Sequence, residues 1–389
     1  MSLSVLFVNR MAAMERGGGE TFDLEIARHL QSQGCTISFL TGIPLFGGLR
    51  RKDLFSGFRS PVSSFHVRSP YFGWFPWDKV RGGWRLRVAD FEMFEKVAAR
   101  WILRHGVDYD VIQICELPNL VAWLKRGGFP KPLVMRVTAP NVYDPRGGMK
   151  QADAVIASGT SVEKLRATER PDCMEVPNGV DTDVFHPHES GFRRKAGLEA
   201  DALIVLYVAR FQAFKNHEVL LRAFAQMSGE CARAVLLLAG SGPLEGRMKG
   251  LAAELGVRDR VRFLGEVPFG DLPDVYAAAD IKVISSDYES FCFAAIEAMA
   301  SGLPIVTTDC GWVPKLIEYG GGRVVPAGDA SALAAALCAL AKDEPLRQEI
   351  GRRNRARAVE QHGWPLSARR LMDVYGSVCD VEEGKGEIG

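Results

Sequence analysis

The chain has 389 residues, 47% hydrophobic and 24% charged, with 48 Lys and Arg against 47 Asp and Glu. Such proportions exclude a disordered or collagen-like chain, and a single core rarely grows past ~250–300 residues, so two domains are expected. A net charge of +1 lacks the basic excess of a dedicated nucleic-acid binder. No apolar run reaches the ~18 residues of a membrane span, and the short apolar N-terminus has no basic n-region, so a cytoplasmic location is expected.

The predicted elements alternate apolar strands with amphipathic helices. Residues 3–8 read as a buried strand, followed by Gly17-Gly18-Gly19 and a helix over 20–32 with Phe22, Ile26 and Leu30 on one face. Gly34 closes that helix, and 36–41 is the next strand. The stretch 50–104 carries 12 basic against 5 acidic residues and 12 of the 36 aromatics, and reads as an acceptor-side insertion. Further strands fall at 111–115, 133–137 and 154–157. A turn-rich join, Val-Pro-Asn-Gly-Val-Asp at 176–181, opens a second series. Its strands are 203–208, 234–239, 261–264, 281–284 and 304–307. Its helices are 216–228, 244–255, 271–278, 293–300, 330–341 and 346–360. An apolar stripe of Leu366, Leu371, Val374, Tyr375 and Val378 marks a last helix, expected to return to the first domain, with a disordered end from about Glu382. The pattern is α/β: two tandem Rossmann-like domains (1–177 and 178–363) with a cleft between them and a C-terminal segment, 364–389. Eight cysteines at 35, 115, 173, 231, 292, 310, 338 and 379 form no Cys-x-x-Cys pair and read as buried small hydrophobes.

Three motifs point to chemistry. The triple glycine offers backbone N–H groups at a helix N-terminus, but the chain lacks the Gly-x-Gly-x-x-Gly spacing and the acidic residue of a dinucleotide site; a tight structural turn is the alternative. Arg210 and Lys215 follow a buried strand, where an open α/β sheet binds ligands, and two cations there suit a diphosphate; a solvated pair is the alternative. In Asp287-Tyr-Glu289-Ser-Phe-Cys-Phe-Ala-Ala-Ile-Glu297, amides of Phe291, Cys292 and Phe293 precede a helix, and two carboxylates eight residues apart flank them. A capping Glu289 with a surface Glu297 is the alternative, although a free charge between Ile296 and Ala298 is costly.

These residues resemble the nucleotide-sugar domain of GT-B glycosyltransferases of the large retaining family 4, the group 1 glycosyltransferases. The matching segments are 176–187, Arg210 with Lys215, Ala-Gly-Ser-Gly-Pro at 239–243, Val-Arg-Phe-Leu-Gly at 261–265, Tyr-Ala-Ala-Ala-Asp at 276–280, Glu289-x7-Glu297 and 297–309. The glycine loop resembles the family more thinly, and the segment from Trp364 resembles its crossover helix. The resemblance implies Arg210 and Lys215 on the donor diphosphate, Glu297 on the ribose and Glu289 on the sugar hydroxyls. It implies backbone and side-chain contacts from Gly240, Gly242, Leu264, Ser290, Phe291, Cys292 and Phe293, with Gly18 and Gly19 approaching from the first domain. It implies no cofactor and no metal. Several positions depart from the pattern: Ser290 and Cys292 stand where glycines are usual, Trp312 and Lys315 where glycine and glutamate are. Gln113-Ile-Cys-Glu116 replaces a His-x-His pair, and no histidine stands near Thr138.

The function expected is retaining transfer of a sugar from a nucleotide-diphosphate sugar to a saccharide or lipid-linked hydroxyl in cell-surface glycan synthesis, a UDP-sugar being favoured over GDP-mannose. A sugar-nucleotide epimerase or hydrolase, or a non-catalytic sugar-nucleotide binder, is the alternative. Glu116, after the strand 111–115, is the candidate first-domain base; a cap on the helix that follows is its other reading. His66, Arg68, Tyr71, Phe72, Trp74, Phe75, Trp77, Lys79, Arg81 and Trp84 mix rings with cations. They suit a sugar acceptor or, over 65–104, peripheral contact with the inner membrane face. Nucleic acid is not expected as a partner.

Overall fold

The computed structural model describes residues 3–14, 17–45, 55, 58–70, 83–139 and 142–386. The chain forms two compact units, 1–178 with 364–389, and 179–363.

In the first unit the elements run β1 (Ser4–Val8), α1 (Gly18–Ser32), β2 (Thr36–Pro44), β3 (Ser63–Ser69), α2 (Trp84–His105), β4 (Val111–Cys115), α3 (Pro118–Arg126), β5 (Leu133–Val137), α4 (Gly148–Gln151), β6 (Ala154–Ala157), α5 (Thr160–Thr168) and β7 (Met174–Glu175). The strands make one parallel sheet in the order β3-β2-β1-β4-β5-β6-β7. Strands such as Ser4–Val8 and Leu133–Val137 are almost wholly buried, because helices cover both faces of a parallel sheet. Phe94, Ile102, Leu120, Leu124 and Met135 build the core beneath α2 and α3.

The second unit continues with α6 (Phe192–Lys195), β8 (Leu203–Val208), α7 (His217–Glu230), β9 (Ala234–Ala239), α8 (Glu245–Glu254), β10 (Val261–Gly265), α9 (Leu272–Ala277), β11 (Ile281–Ile284), α10 (Phe293–Ala300), β12 (Ile305–Thr308), α11 (Val313–Ile317), β13 (Gly322–Val325), α12 (Ala330–Lys342) and α13 (Glu344–Gln361). Its parallel sheet runs β10-β9-β8-β11-β12-β13. The strand order therefore reverses between β1 and β4 in one unit and between β8 and β11 in the other. Such switch points splay the loops at the carboxyl ends of the strands and open a crevice.

The last helix, α14 (Trp364–Gly386), belongs to the first unit. Trp364 meets Phe22 and His29 of α1 edge-on and tilted, the Cys35 thiol reaches the Met372 sulfur at 3.7 Å, and Tyr375 donates to Gln113 of β4. Trp364, Leu371, Val374 and Tyr375 are all buried, each worth about 1.5–3 kcal/mol of apolar transfer.

Three expectations are corrected. The helix continues to Gly386 where disorder was expected from about Glu382. Within 50–104, β3 and α2 are integral parts of the first unit and not an insertion, the strand edging the sheet and the 22-residue helix covering it. Lys215, expected at the start of the helix over 216–228, instead ends a short 3-10 turn, Ala213–Lys215, and α7 starts two residues later, after Asn216 in the left-handed region. All eight cysteines are free. Among the described residues no helix is long and apolar enough to cross a membrane.

Candidate active site

The crevice of the second unit is bounded by the loop after β8 and the loop after β11. Two glycines bring the β9 loop against the first of these: a Cβ on Gly240 would lie 2.1 Å from the Ala209 carbonyl oxygen, and one on Gly242 would lie 2.7 Å from that of Phe211. Both are thus accounted for by close packing that sets the path of 209–211, and hence of Arg210. The Lys215 carbonyl accepts hydrogen bonds from Tyr207 (2.7 Å) and Ser285 (3.1 Å), while Asp287 N donates to the Phe214 carbonyl and Asn216 Nδ2 to Asp287. The two loops are therefore joined along their length.

At their centre Lys215 Nζ contacts Glu289 Oε1 at 2.6 Å, and Ser286 Oγ donates to the same oxygen at 2.7 Å. Tyr207 stands behind, its hydroxyl 3.0 Å from Ser286 Oγ. Arg210 is exposed. The Arg210 and Lys215 expected to act as a pair thus differ: Lys215 is held by Glu289, and Arg210 reaches solvent.

Cys292 precedes α10 with φ of +77°. That conformation favours glycine, the residue the resemblance led one to expect at this position. Burial raises the Cys292 thiol far above its usual range, and the nearby Glu289 adds to the effect, so the thiol stays protonated. The Cys292 side chain makes no capping hydrogen bond to α10, and Phe291 is buried. The helix end presents its positive dipole toward the loop that carries Ser290 and Glu289. One and a half turns on, Glu297 accepts a hydrogen bond from Tyr276 at 2.7 Å. Leu264, half-buried at the end of β10, packs against the core beneath α9 and α10.

Several residues of this site were not expected from the sequence. Ser286, Tyr207 and Tyr276 orient the two glutamates; Gly311, at φ +63°, lies so close to the Glu289 carbonyl that a Cβ would sit 1.9 Å from it, and Trp312 N donates to the same oxygen. The adjoining serines at the end of β11 were the only signal for Ser286; Tyr276 opens the segment 276–280 that carries part of the resemblance, but no role was read for it, and nothing local marks Tyr207.

The crevice of the first unit holds a second cluster. Gly17 caps α1, its N–H donating to Glu20. Gly18 opens the helix, and Gly19 packs near Thr138, Cys115 and Arg136. Arg136, buried, donates to the Gly19 carbonyl at 3.2 Å, lies over the Phe22 ring and sits 3.7 Å from Asp23. Burial pushes the Asp23 carboxyl up, with the Arg136 charge acting against it. Glu116 has φ of +54°, and its Oε1 accepts from the amides of Thr138 and Ala139 at 2.8 Å each and from the Thr138 hydroxyl. It does not cap α3, whose N-cap is Leu117; it organises the loop after β5. A pocket of about 300 Å³ lies beside it, lined among others by Phe91, Glu95, Asn119, Val142 and Tyr143. Burial raises the Glu95 carboxyl to about 7, against hydrogen bonds from Asn119 and Leu120 N that lower it. Of the ring-and-cation segment, Tyr71, Phe72, Trp74, Phe75, Trp77, Lys79 and Arg81 lie outside the described residues. His66 accepts or donates at Thr41, Arg68 donates to the Leu45 carbonyl, and Trp84 is exposed at the start of α2.

Two units, each a parallel sheet flanked by helices with its own switch point, make up an α/β architecture of GT-B type. Solved structures share it: sucrose-phosphate synthase from Thermosynechococcus elongatus has a TM-score of 0.79 at 22% identity, covering 97% of this chain and all of that one. Anabaena HepE in complex with UDP and glucose has a TM-score of 0.74 at 20% identity, covering 96% and 100%. The family model for glycosyl transferases group 1 matches residues 189–357. The N-acetyl-alpha-D-glucosaminyl L-malate synthase of Bacillus anthracis is 30% identical over 382 residues, 95% of this chain and 96% of that protein. The D-inositol 3-phosphate glycosyltransferase of Actinosynnema mirum is 36% identical over 309 residues, 70% and 73% of the two chains. The chain belongs to the group 1 glycosyltransferase family.

Proposed function

We propose that this enzyme transfers a hexose from a nucleotide-diphosphate sugar, UDP-linked in preference to GDP-mannose, to a hydroxyl of a saccharide or lipid-linked acceptor, with retention at the anomeric carbon. The observation that carries the reading is the Lys215–Glu289 pair, with exposed Arg210 nearby in sequence and the N-terminal end of α10 in the same loop system. Arg210 and Lys215 meet the diphosphate and the α10 amides add their dipole, so the reading requires no metal. Glu297, oriented by Tyr276, accepts from the ribose hydroxyls; Glu289 accepts from the sugar. That HepE was solved with UDP and glucose supports a sugar nucleotide as the donor.

In the step itself the acceptor oxygen bonds to the anomeric carbon on the face from which the phosphate oxygen departs. The C–O bond to phosphate breaks, and the departing diphosphate takes the acceptor proton. Lys215 and Arg210 stabilise the charge that develops on it. The pocket beside Glu95, Glu116 and Asn119 serves the acceptor, its carboxyl and amide groups suiting hydroxyls and its rings a sugar face. Exposed Trp84 and Leu86 flanking Arg85 on α2 support peripheral contact of a cytoplasmic enzyme with an anionic membrane face during cell-surface glycan synthesis; salt-sensitive pelleting with anionic liposomes tests it. The test of the main reading is a thermal-shift screen of UDP- and GDP-sugars with and without EDTA. A true donor at ~100 times its Kd stabilises by ~2.7 kcal/mol, unaffected by EDTA, and NMR of the product then fixes the anomeric configuration. No shift with any sugar nucleotide refutes it.

A further inference from the structure

We propose that Lys282 is a positioning residue of the donor site: a buried ammonium behind the two glutamates that sets their charge balance and holds the hydroxyl groups aimed at them. This rests on the reading of that site as a nucleotide-sugar site. Lys282 lies on β11, an interior strand, its backbone registered against Leu206 on one side and Ile305 on the other. The residue is wholly buried, and its Nζ has no hydrogen-bond partner. It sits 5.5 Å from the ring centre of Tyr207 and 5.5 Å from that of Tyr276, within cation–π range of both. A leucine or methionine would fill such a position without the cost of desolvating a charge, so stability gives no reason for a lysine here.

The two rings supply the reason. Tyr276 carries the hydroxyl that donates to Glu297. Tyr207 carries the hydroxyl that meets Ser286, which in turn donates to Glu289. One ammonium therefore anchors both aromatic arms that orient the paired carboxylates. The charged and titratable groups that act on it are Glu289, Glu297, Cys292 and Lys215. With the Cys292 thiol protonated, the two carboxylates of this cluster are balanced by Lys215 and, when charged, by Lys282. A diphosphate that meets Arg210 and Lys215 thus approaches a site poorer by one positive charge once Lys282 loses its proton. Burial lowers the Lys282 ammonium to about 8, the neighbouring carboxylates acting in the opposite direction, so its proton leaves in an accessible pH range.

The experiment is calorimetric titration of UDP into wild-type protein and into Lys282→Met between pH 6.5 and 9.5, with melting temperatures alongside. At pH 7 the variant should melt higher than wild type, because a buried charge has been replaced by an apolar chain, yet bind UDP roughly tenfold more weakly. As pH rises through about 8, the wild-type affinity should fall toward that of the variant; ionisation of uridine is common to both and cancels in the ratio. Lys282→Gln, with a polar end, should show the same weakening and keeps the test open if the methionine variant does not fold. Equal affinity at pH 7 in a folded variant, or a ratio that stays constant with pH, overturns the positioning role alone. A wild type that binds neither UDP nor GDP overturns the donor-site reading and this proposal with it.

Discussion

Replacing Lys215 by methionine tests the centre of the site, because it separates stability from donor affinity. At 2.6 Å the gross attraction between Lys215 and Glu289 is about 6 kcal/mol at an effective dielectric near 20. Most of that is offset by desolvation of the two groups. In Lys215→Met the Glu289 carboxylate keeps the Ser286 hydrogen bond and loses its counter-charge. Removing one partner of a fully buried pair costs ~3–5 kcal/mol; with side chains 18% and 10% exposed, ~2–3 kcal/mol is expected here after solvent screening. For a domain of this size that is a fall of roughly 4–12 °C in Tm. UDP affinity should drop by ~2–4 kcal/mol, roughly 30- to 1,000-fold. Adding Glu289→Gln removes the orphaned charge, so the double variant should recover most of the melting temperature and none of the affinity. Differential scanning calorimetry and UDP titration read the two quantities. A double variant as unstable as the single one, or affinity that returns with stability, refutes the reasoning.

Gly311→Ala should lose at least ~2 kcal/mol and most UDP binding, since a Cβ there meets the Glu289 carbonyl at 1.9 Å in addition to left-handed strain of ~1–2 kcal/mol. Gly256→Ala, at φ +70° with open space around it, is the control and should show the strain alone in chemical denaturation. Glu116→Ala should cost ~1–3 kcal/mol by leaving the Thr138 and Ala139 donors unpaired. Glu116→Gln should keep turnover within about twofold under the proposed mechanism, in which the departing diphosphate takes the proton; a 100-fold loss in kcat at unchanged Tm would make Glu116 the base. Glu95, raised to about 7 from 4.5, is ionised less readily in the folded chain than in the unfolded one. The unfolded state therefore releases its proton first, and stability falls as pH climbs from 4.5 to 7. The Tm–pH slope across that window should flatten in Glu95→Gln, and an unchanged slope would place the titration elsewhere.

Much of the fold was legible because parallel strands buried on both faces are unbroken apolar runs. Residues 111–115, 133–137, 203–208 and 234–239 end where their composition ends. Strand β3 and helix α2 were not legible, because Ser63–Ser69 alternates only weakly in burial at a sheet edge and its neighbourhood is dense in charge and rings. Glu289, Glu297, Lys215 and Arg210 could be singled out as candidates from their spacing and from their places at predicted strand and helix ends. What the spacing could not supply was the pairing. Lys215 and Glu289 are 74 positions apart, and only the switch between β8 and β11 brings their loops together. No local signal singles out Lys282 or Gly311, and the place of Glu116 after a strand left both a base and a helix cap open. Their surroundings are made by elements distant along the chain: two tyrosines, the Glu289 carbonyl and the loop after β5. Local sequence determined the strands, helices and turns through side-chain apolarity and backbone sterics. Tertiary packing decided which charges meet, because burial, desolvation and hydrogen-bond partners depend on neighbours in space.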